Sequence, residues 1–298
     1  MKHLIVGPDN HGVTAYALSL AQATGADVIR EDTFTDQPLP DEPIHVTFTD
    51  YLFGSTPQEA VDKLLARVGE RDLSVSFHDI PQVEEGTDRF ARRADAYRRL
   101  HARAQLTGTN SAHEAQFFDG DAAVIHLPVP VIASAFDPEP GTVGVLGFVY
   151  PGKGHEDLVA ALPDKRLRFL GAVSAGHEKW AQELVRTAGK VELTGWLDDA
   201  AMAREMGRIE VPVCAHRHFS ASGSLMTWLG AGRNVLATDS DYTREIDAWL
   251  PGRITLVADG AWREAVEAFE PKVMDPPEYG WADVARGWED AWRSTGLL

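Results

Sequence analysis

Short apolar runs alternate with helical patterns along most of the chain, and this alternation restricts the fold more than any other feature. Residues 3–8 (HLIVGP) are an apolar run closed by Gly-Pro. A small-residue helical pattern follows, with Val13, Ala17, Leu20 and Ala21 on one side, and then a second run, ADVIR. Strand, turn, helix and strand in this order are the start of a parallel α/β sheet. PIHVTF reads as the third strand. Thr56-Pro-Gln-Glu59 is a capping box with proline at the first helical position. The helix it opens carries Val61, Leu64, Leu65 and Val68 at i, i+3, i+4 and i+7. LSVSF (73–77) is a strand ending directly at His78-Asp79, Ser111-Ala-His-Glu114 is a second capping box, and AAVIHLP (122–128) is a further strand.

Residues 133–142 (ASAFDPEPGT) break the pattern with two prolines, a glycine and acids, and read as the linker. The alternation then restarts. Strands are expected at TVGVLGFV, LRFLGAV, VELTGW, IEVPVCA, the short run after the glycine turn 230–232, and RITLVA. Helices are expected at EDLVAALP, HEKWAQELVRTAG, near 198–206, at LMTWLGA, at AWREAVEAF and in the Trp-rich 279–292. The expected architecture is α/β, two Rossmann-like doubly wound domains facing across a cleft. The boundaries read as 1–135, 140–275 and a C-terminal helix, 277–298, packing back on the first domain.

Partners are narrowed by charge. A net charge of −17 over 298 residues disfavours sequence-independent nucleic-acid binding, which needs a cationic surface. Residues 89–103 are a local exception, with six Arg against one Asp and with Phe90, Ala94, Tyr97 and His101 on one face. They read as an amphipathic helix with a basic, solvated outer surface, or as a dock for an anionic acceptor or a membrane. The first residues do not read as a signal peptide, no apolar run is long enough for a membrane helix, and the single cysteine, Cys214, excludes internal disulfides. A cytoplasmic location is expected.

The first turn, Gly7-Pro-Asp-Asn-His-Gly12, is not Gly-x-Gly-x-x-Gly, which disfavours dinucleotide binding, and no triphosphate loop is present. Two stretches have the layout for phosphate. Pro151-Gly152-Lys153-Gly154 lies between a strand and a helix. Ser222-Gly223-Ser224 opens a helix whose free N–H groups and positive dipole end suit an anion.

Gly147-Phe-Val-Tyr-Pro-Gly-Lys-Gly154, followed by HEDLVAAL, resembles the donor domain of GT-B glycosyltransferases. The closest group is the retaining family that includes phosphatidylinositol mannosyltransferases and sucrose synthases. Leu167–Gly171, Val191–Leu197 and Gly230–Thr238 resemble later donor-domain landmarks in the expected order. Phe77-His78-Asp79 and Asn110-Ser111 with Glu114 resemble landmarks of the first domain. The resemblance implies transfer of a sugar from a nucleotide-diphosphate sugar, UDP-linked, to an unidentified acceptor (a small molecule, a glycan or a lipid-linked group). It implies no cofactor and no metal, in agreement with no Asp-x-Asp metal motif being read, and retention at the anomeric carbon.

On that resemblance Gly152, Lys153 and Gly154, Ser222, Gly223 and Ser224, and Arg217 hold the donor diphosphate. Trp196, Leu197 and Thr227 lie at the nucleobase and ribose. His78 and Asp79 serve the reacting centre, and Asn10, His11 and Gly12 form the cleft loop. Plain structural roles compete at each position: a loop lysine, an N-cap without ligand, a core histidine, a solvated loop at 216–218. The chain also departs from the pattern. Phe148 stands where the family has Arg or another polar group, and Phe219 and Thr227 stand where it has two glutamates. Each lost charge-assisted hydrogen bond is worth about 1.5–3 kcal/mol. Two alternatives therefore stand beside the transferase: a non-catalytic nucleotide, glycan or partner binder, and a sugar-nucleotide epimerase.

Overall fold

The computed structural model describes residues 1–217 and 220–298, the side chain of Glu84 apart. The chain divides into two compact units, Met1–Pro128 with Tyr279–Leu298, and Val129–Glu278.

In the first unit, β1 (Lys2–Val6), α1 (Gly12–Thr24), β2 (Asp27–Glu31) and β3 (Ile44–Phe48) open the chain. They are followed by α2 (Asp50–Phe53), α3 (Pro57–Val68), β4 (Leu73–Phe77) and α4 (Thr87–Arg103). β5 (Leu106–Thr109), α5 (Ala112–Ala115) and β6 (Ala123–Val124) complete the sheet, whose strand order is β2-β1-β3-β4-β5-β6, parallel throughout. Every residue of β3 and β4 is buried, as parallel strands covered on both faces require. Val61, Leu64 and Val68 of α3 are fully buried against them, and Leu65 is half-buried.

The second unit repeats the pattern. β7 (Thr142–Leu146), α6 (His155–Ala161), β8 (Arg166–Leu170), α7 (Glu178–Ala188) and β9 (Val191–Leu193) form one half. α8 (Asp199–Arg208), β10 (Val211–Cys214), α9 (Gly223–Gly230), β11 (Val235–Thr238), α10 (Asp241–Trp249), β12 (Ile254–Val257) and α11 (Trp262–Glu267) form the other. Its order is β12-β11-β10-β7-β8-β9, also parallel. Two six-stranded parallel sheets with alternating helices are thus present, as the sequence pattern requires.

Residues 133–142 are not a free linker. Ser134 Oγ donates to the Ala203 carbonyl (2.7 Å), and the N–H groups of Asp137 and Glu139 donate to Gly207 and Arg208. The segment is pinned along α8 inside the second unit.

Three elements escaped the sequence pattern, α2, β5 and α10. β5 reads Leu-Thr-Gly-Thr, without an apolar run. Its glycine is required because a Cβ on Gly108 would lie 2.2 Å from the Trp288 ring. α10 is announced only by Ser240, which caps it reciprocally with Thr243. The expected strand at 122–128 shortens to two paired residues at the sheet edge.

The helix α12 (Trp281–Ser294) belongs to the first unit and packs on α1. Trp288 and Trp292 are fully buried, and each indole N–H has a partner. Trp288 donates to Tyr16 Oη (3.1 Å), and Trp292 donates to Ser74 Oγ (2.9 Å), which also meets His45 Nδ1 at 3.0 Å. Trp292→Phe keeps an aromatic ring, deletes the buried donor and opens a small cavity. Its expected cost is about 2–4 kcal/mol for both losses, read as a lower urea midpoint with unchanged slope; an unchanged midpoint would show that neither the bond nor the packing of the indole contributes.

Candidate functional site

Open parallel sheets bind ligands at the carboxyl ends of their strands, and in each unit the sequence-selected residues gather there. In the second unit the turn after β7 is built on glycine. Gly147 has φ +102°, and a Cβ on it would lie 2.5 Å from Lys153 Nζ and 3.9 Å from Ser224 Cβ. The lysine ammonium and the start of α9 therefore border one small space that only glycine leaves open. Gly152 and Gly154 also have positive φ, and a Cβ on Gly154 would lie 1.9 Å from the Ala215 carbonyl oxygen.

Lys153 is buried, and its Nζ donates to the Leu146 carbonyl (3.0 Å). An ammonium has three N–H bonds to give, and among the described residues this is its one hydrogen bond. Burial pulls its pKa down to about 8, against the opposing effect of Cys214. Cys214 is a buried free thiol pushed up to about 12 by burial, with Lys153 and the Ser224 hydroxyl opposing.

Ser222 caps α9, its Oγ accepting from the Leu225 N–H (3.3 Å), while its own N–H donates to Tyr242 Oη (3.0 Å). Among the described residues the N–H groups of Gly223 and Ser224 have no hydrogen-bond partner, and a Cβ on Gly223 would meet open space.

Other expected donor-side residues are placed less suggestively. Arg217 closes its fork on Asp157 (2.7 and 2.5 Å), so its guanidinium is already engaged in a carboxylate pair. Thr227 Oγ1 donates to the Gly223 carbonyl within its own helix (2.8 Å). Trp196 is 70% exposed after β9, Leu197 is half-buried, and Phe148 is exposed after β7. His218 and Phe219 lie outside the described residues.

Two Asp-x-Asp triplets do occur, Asp119-Gly-Asp121 and Asp239-Ser-Asp241. Asp239 and Asp241 both pair with Arg244, and the serine between them caps α10. Among the described residues no group of three or more His, Cys, Asp or Glu could hold a metal ion.

In the first unit His78 follows β4 and is buried. Its Nε2 lies 3.2 Å from Ser76 Oγ, and its ring packs edge-on against Tyr16 at 4.7 Å. Burial, then His11, lowers its pKa to about 3, so the ring is neutral at neutral pH. Asp79 takes a left-handed backbone (φ +51°), and its Oδ2 accepts from Thr49 Oγ1 (3.0 Å). Although the residue is exposed, crowding around its carboxylate raises its pKa, against the Thr49 hydroxyl and Arg93.

The cleft-loop residues Asn10 and Gly12 are exposed. His11 between them caps α1. Its Nδ1 accepts from the Val13 N–H (3.2 Å), and its Nε2 meets Tyr51 Oη at 2.5 Å. A ring nitrogen that accepts has no proton, so the neutral ring carries its hydrogen on Nε2 and donates it to Tyr51. Burial lowers the His11 pKa, with Asp79 opposing.

Sequence reading missed Tyr51, Thr49 and Arg93. Arg93 was assigned to the solvated face of α4, yet it is buried. It pairs with Asp50 (3.0 Å) and with Glu85, and donates to the Asp79 carbonyl (2.7 Å) and to Tyr97 Oη (3.1 Å). Tyr97 Oη lies 3.2 Å from both Asp50 Oδ1 and the His78 carbonyl, which share its one hydrogen. The available signal was spacing, because Arg93 and Tyr97 are four apart on one helix side. Much of the rest of the basic face is also engaged, the exposed Arg92 apart. Arg89 pairs with Glu85, Arg99 with Asp62, Arg98 covers the Phe117 ring, and Arg103 donates to the Gly69 and Arg71 carbonyls. No helix is long and apolar enough to cross a membrane.

No protein-family model and no curated protein matches this chain. Solved structures do. The Anabaena protein HepE, crystallised with UDP and glucose, is 16% identical over 100% of this chain and 96% of its own, with a TM-score of 0.68. Its complex with UDP-glucose gives 0.69 at 15% identity, covering 99% of this chain and 95% of that one. Sucrose-phosphate synthase from Thermosynechococcus elongatus is 14% identical over 98% of both chains, with a TM-score of 0.65. AviGT4, a glycosyltransferase involved in avilamycin A biosynthesis, is 13% identical over 99% of this chain and 97% of its own, at 0.62. The fold of this chain is therefore that of the GT-B glycosyltransferases.

Buried histidines make the fold sensitive to acid. Burial lowers His3 to about 4 and His155 to about 3, as it does His78, and holds His45 and His216 well below the usual value. Each is neutral when folded and binds a proton near pH 6.5 when unfolded. Their stabilisation is complete above pH 6.5 and is lost as pH falls towards 3–4, at about 1.4 kcal/mol per pH unit per site. Urea midpoints should fall steadily from pH 7 to pH 5; a flat profile over that range contradicts the assignment. In two-bond ¹H–¹⁵N spectra at pH 7, His11 should carry its proton on Nε2.

Proposed function

We propose that the chain is a glycosyltransferase whose second unit binds a nucleotide-diphosphate sugar, UDP-linked, and whose first unit receives the acceptor. The observation that carries this reading is Lys153: a buried ammonium with one described hydrogen-bond partner and the Tyr150 ring at 5.9 Å, bordering the open start of α9. Burying a charge is costly unless it is paired, so a site of this kind is completed by an anion. Backbone N–H groups at a helix start add a second, fixed source of positive potential. The likeness to structures holding UDP and UDP-glucose supports the choice of anion.

The reaction breaks the bond from the anomeric carbon to the diphosphate oxygen, forms one to an acceptor hydroxyl oxygen, and passes the hydroxyl proton to the leaving diphosphate. Negative charge develops on the leaving diphosphate, and Lys153 with the Gly223 and Ser224 N–H groups stabilises it where it grows. On this reading no metal is needed and the anomeric configuration is retained. Trp196 offers an exposed indole face for the base. Thr227 keeps oxygen lone pairs for a ribose hydroxyl after giving its hydrogen to Gly223.

A second reading, a binder without turnover, is favoured by the engagement of Arg217 with Asp157, which leaves Lys153 the principal cation of this cradle. Turnover separates the two: released UDP together with a glycosylated product supports the transferase.

Calorimetry with UDP tests the site. Lys153→Ala should weaken binding about 10- to 100-fold, the value of a charge-assisted hydrogen bond. Because free Lys153 titrates near 8 and a bound anion raises that pKa, affinity should fall up to tenfold per unit above pH 8. If neither UDP, GDP nor their sugars bind, or if Lys153→Ala changes nothing, the proposal fails.

A further inference from the structure

At the carboxyl ends of the neighbouring strands β1, β3 and β4, the first unit assembles His11, Tyr51 and Asp79. Because His11 gives Tyr51 a hydrogen, the phenol keeps its own to give. Tyr51 is 57% exposed, and its hydroxyl also reaches Thr49, so a ligand competes with the Thr49 oxygen for that hydrogen. Asp79 lies close enough to act electrostatically on both His11 and Tyr51. Its Oδ2 is on Thr49, and among the described residues Oδ1 has no hydrogen-bond partner. A hydrogen to give beside an oxygen to accept is the complement of a hydroxyl group, which does both.

Charge decides the class of ligand. Arg93, the nearest cation, is shared among Asp50, Glu85 and the Asp79 carbonyl, and His11 is held neutral by the Val13 N–H. What the array shows outward is a phenol and a carboxylate, which repels an anion. We propose that Tyr51 and Asp79 are the acceptor-binding pair of the first unit, and that they take a neutral hydroxyl-bearing sugar or alcohol rather than a phosphorylated or carboxylated one. This rests on reading the first unit as the acceptor side of a transferase. The Arg93 fork and Tyr97 hold the carbonyls after β4 in place, making them positioning residues for Asp79.

The test uses the methyl glycosides of glucose, galactose and mannose, each paired with its 6-phosphate, in saturation-transfer NMR and as acceptors with UDP-glucose. At least one neutral glycoside should bind and its 6-phosphate should not. Tyr51→Phe should weaken that glycoside about 5- to 10-fold, the loss of one hydrogen bond. Asp79→Asn, a residue that tolerates the left-handed backbone, should also weaken it and narrow the gap to the 6-phosphate. Equal binding of both classes by the native chain, an indifferent Tyr51→Phe, or no glycoside binding overturns the proposal. UDP calorimetry on the same variants separates the layers. If UDP does not bind the native chain, the transferase reading falls. If UDP binding is intact while Tyr51→Phe changes nothing, only the acceptor pair falls.

Discussion

A parallel strand reaches its neighbour only by crossing back over the sheet, and everything of chemical interest in this protein depends on that constraint. Each crossover returns the chain to the same end, so all carboxyl ends of one sheet lie along one edge. The turns after β1, β3 and β4 thus meet in the first unit, and the turns after β7 and β10 meet in the second. Residues far apart in sequence, such as His11, Tyr51 and Asp79, or Lys153 and Ser224, become neighbours without any local signal requiring it.

Buried charge is handled in three ways. Arg93 is matched by carboxylates and carbonyls and turns its cost into the rigidity of two strand ends. Arg233 has backbone carbonyls of Met206, Ile209 and Glu210 and the Phe136 ring in place of a carboxylate, and burial pulls it down to about 10. Among the described residues Lys153 has one carbonyl and the Tyr150 ring, with no carboxylate. Networks that are complete hold the fold, and the incomplete one is where a ligand has something to add.

The legible part of the site was local. Gly152-Lys153-Gly154 and Ser222-Gly223-Ser224 announce themselves because tight turns and helix caps are made by residues near in sequence. Arg93 shows the opposite case. On a helix rich in arginine nothing local tells a buried guanidinium from a solvated one, and its partners Asp50 and Glu85 come from other elements. Arg217 was misleading for the same reason: a basic loop residue looks available until Asp157, sixty positions away, occupies its fork.

By itself the sequence determined the fold class, through apolar periodicity and capping boxes. Those signals act over one helical turn or one strand and need no distant partner. It also marked which turns demand glycine and which helix begins open to an anion. Tertiary structure alone decided which charges are spent and which remain. It placed Trp288 where β5 needs glycine, set the proton of His11 on the nitrogen facing Tyr51, and left Lys153 with one hydrogen-bond partner among the described residues. Burial and pairing are properties of neighbours in space, and a parallel sheet takes those neighbours from opposite ends of the chain.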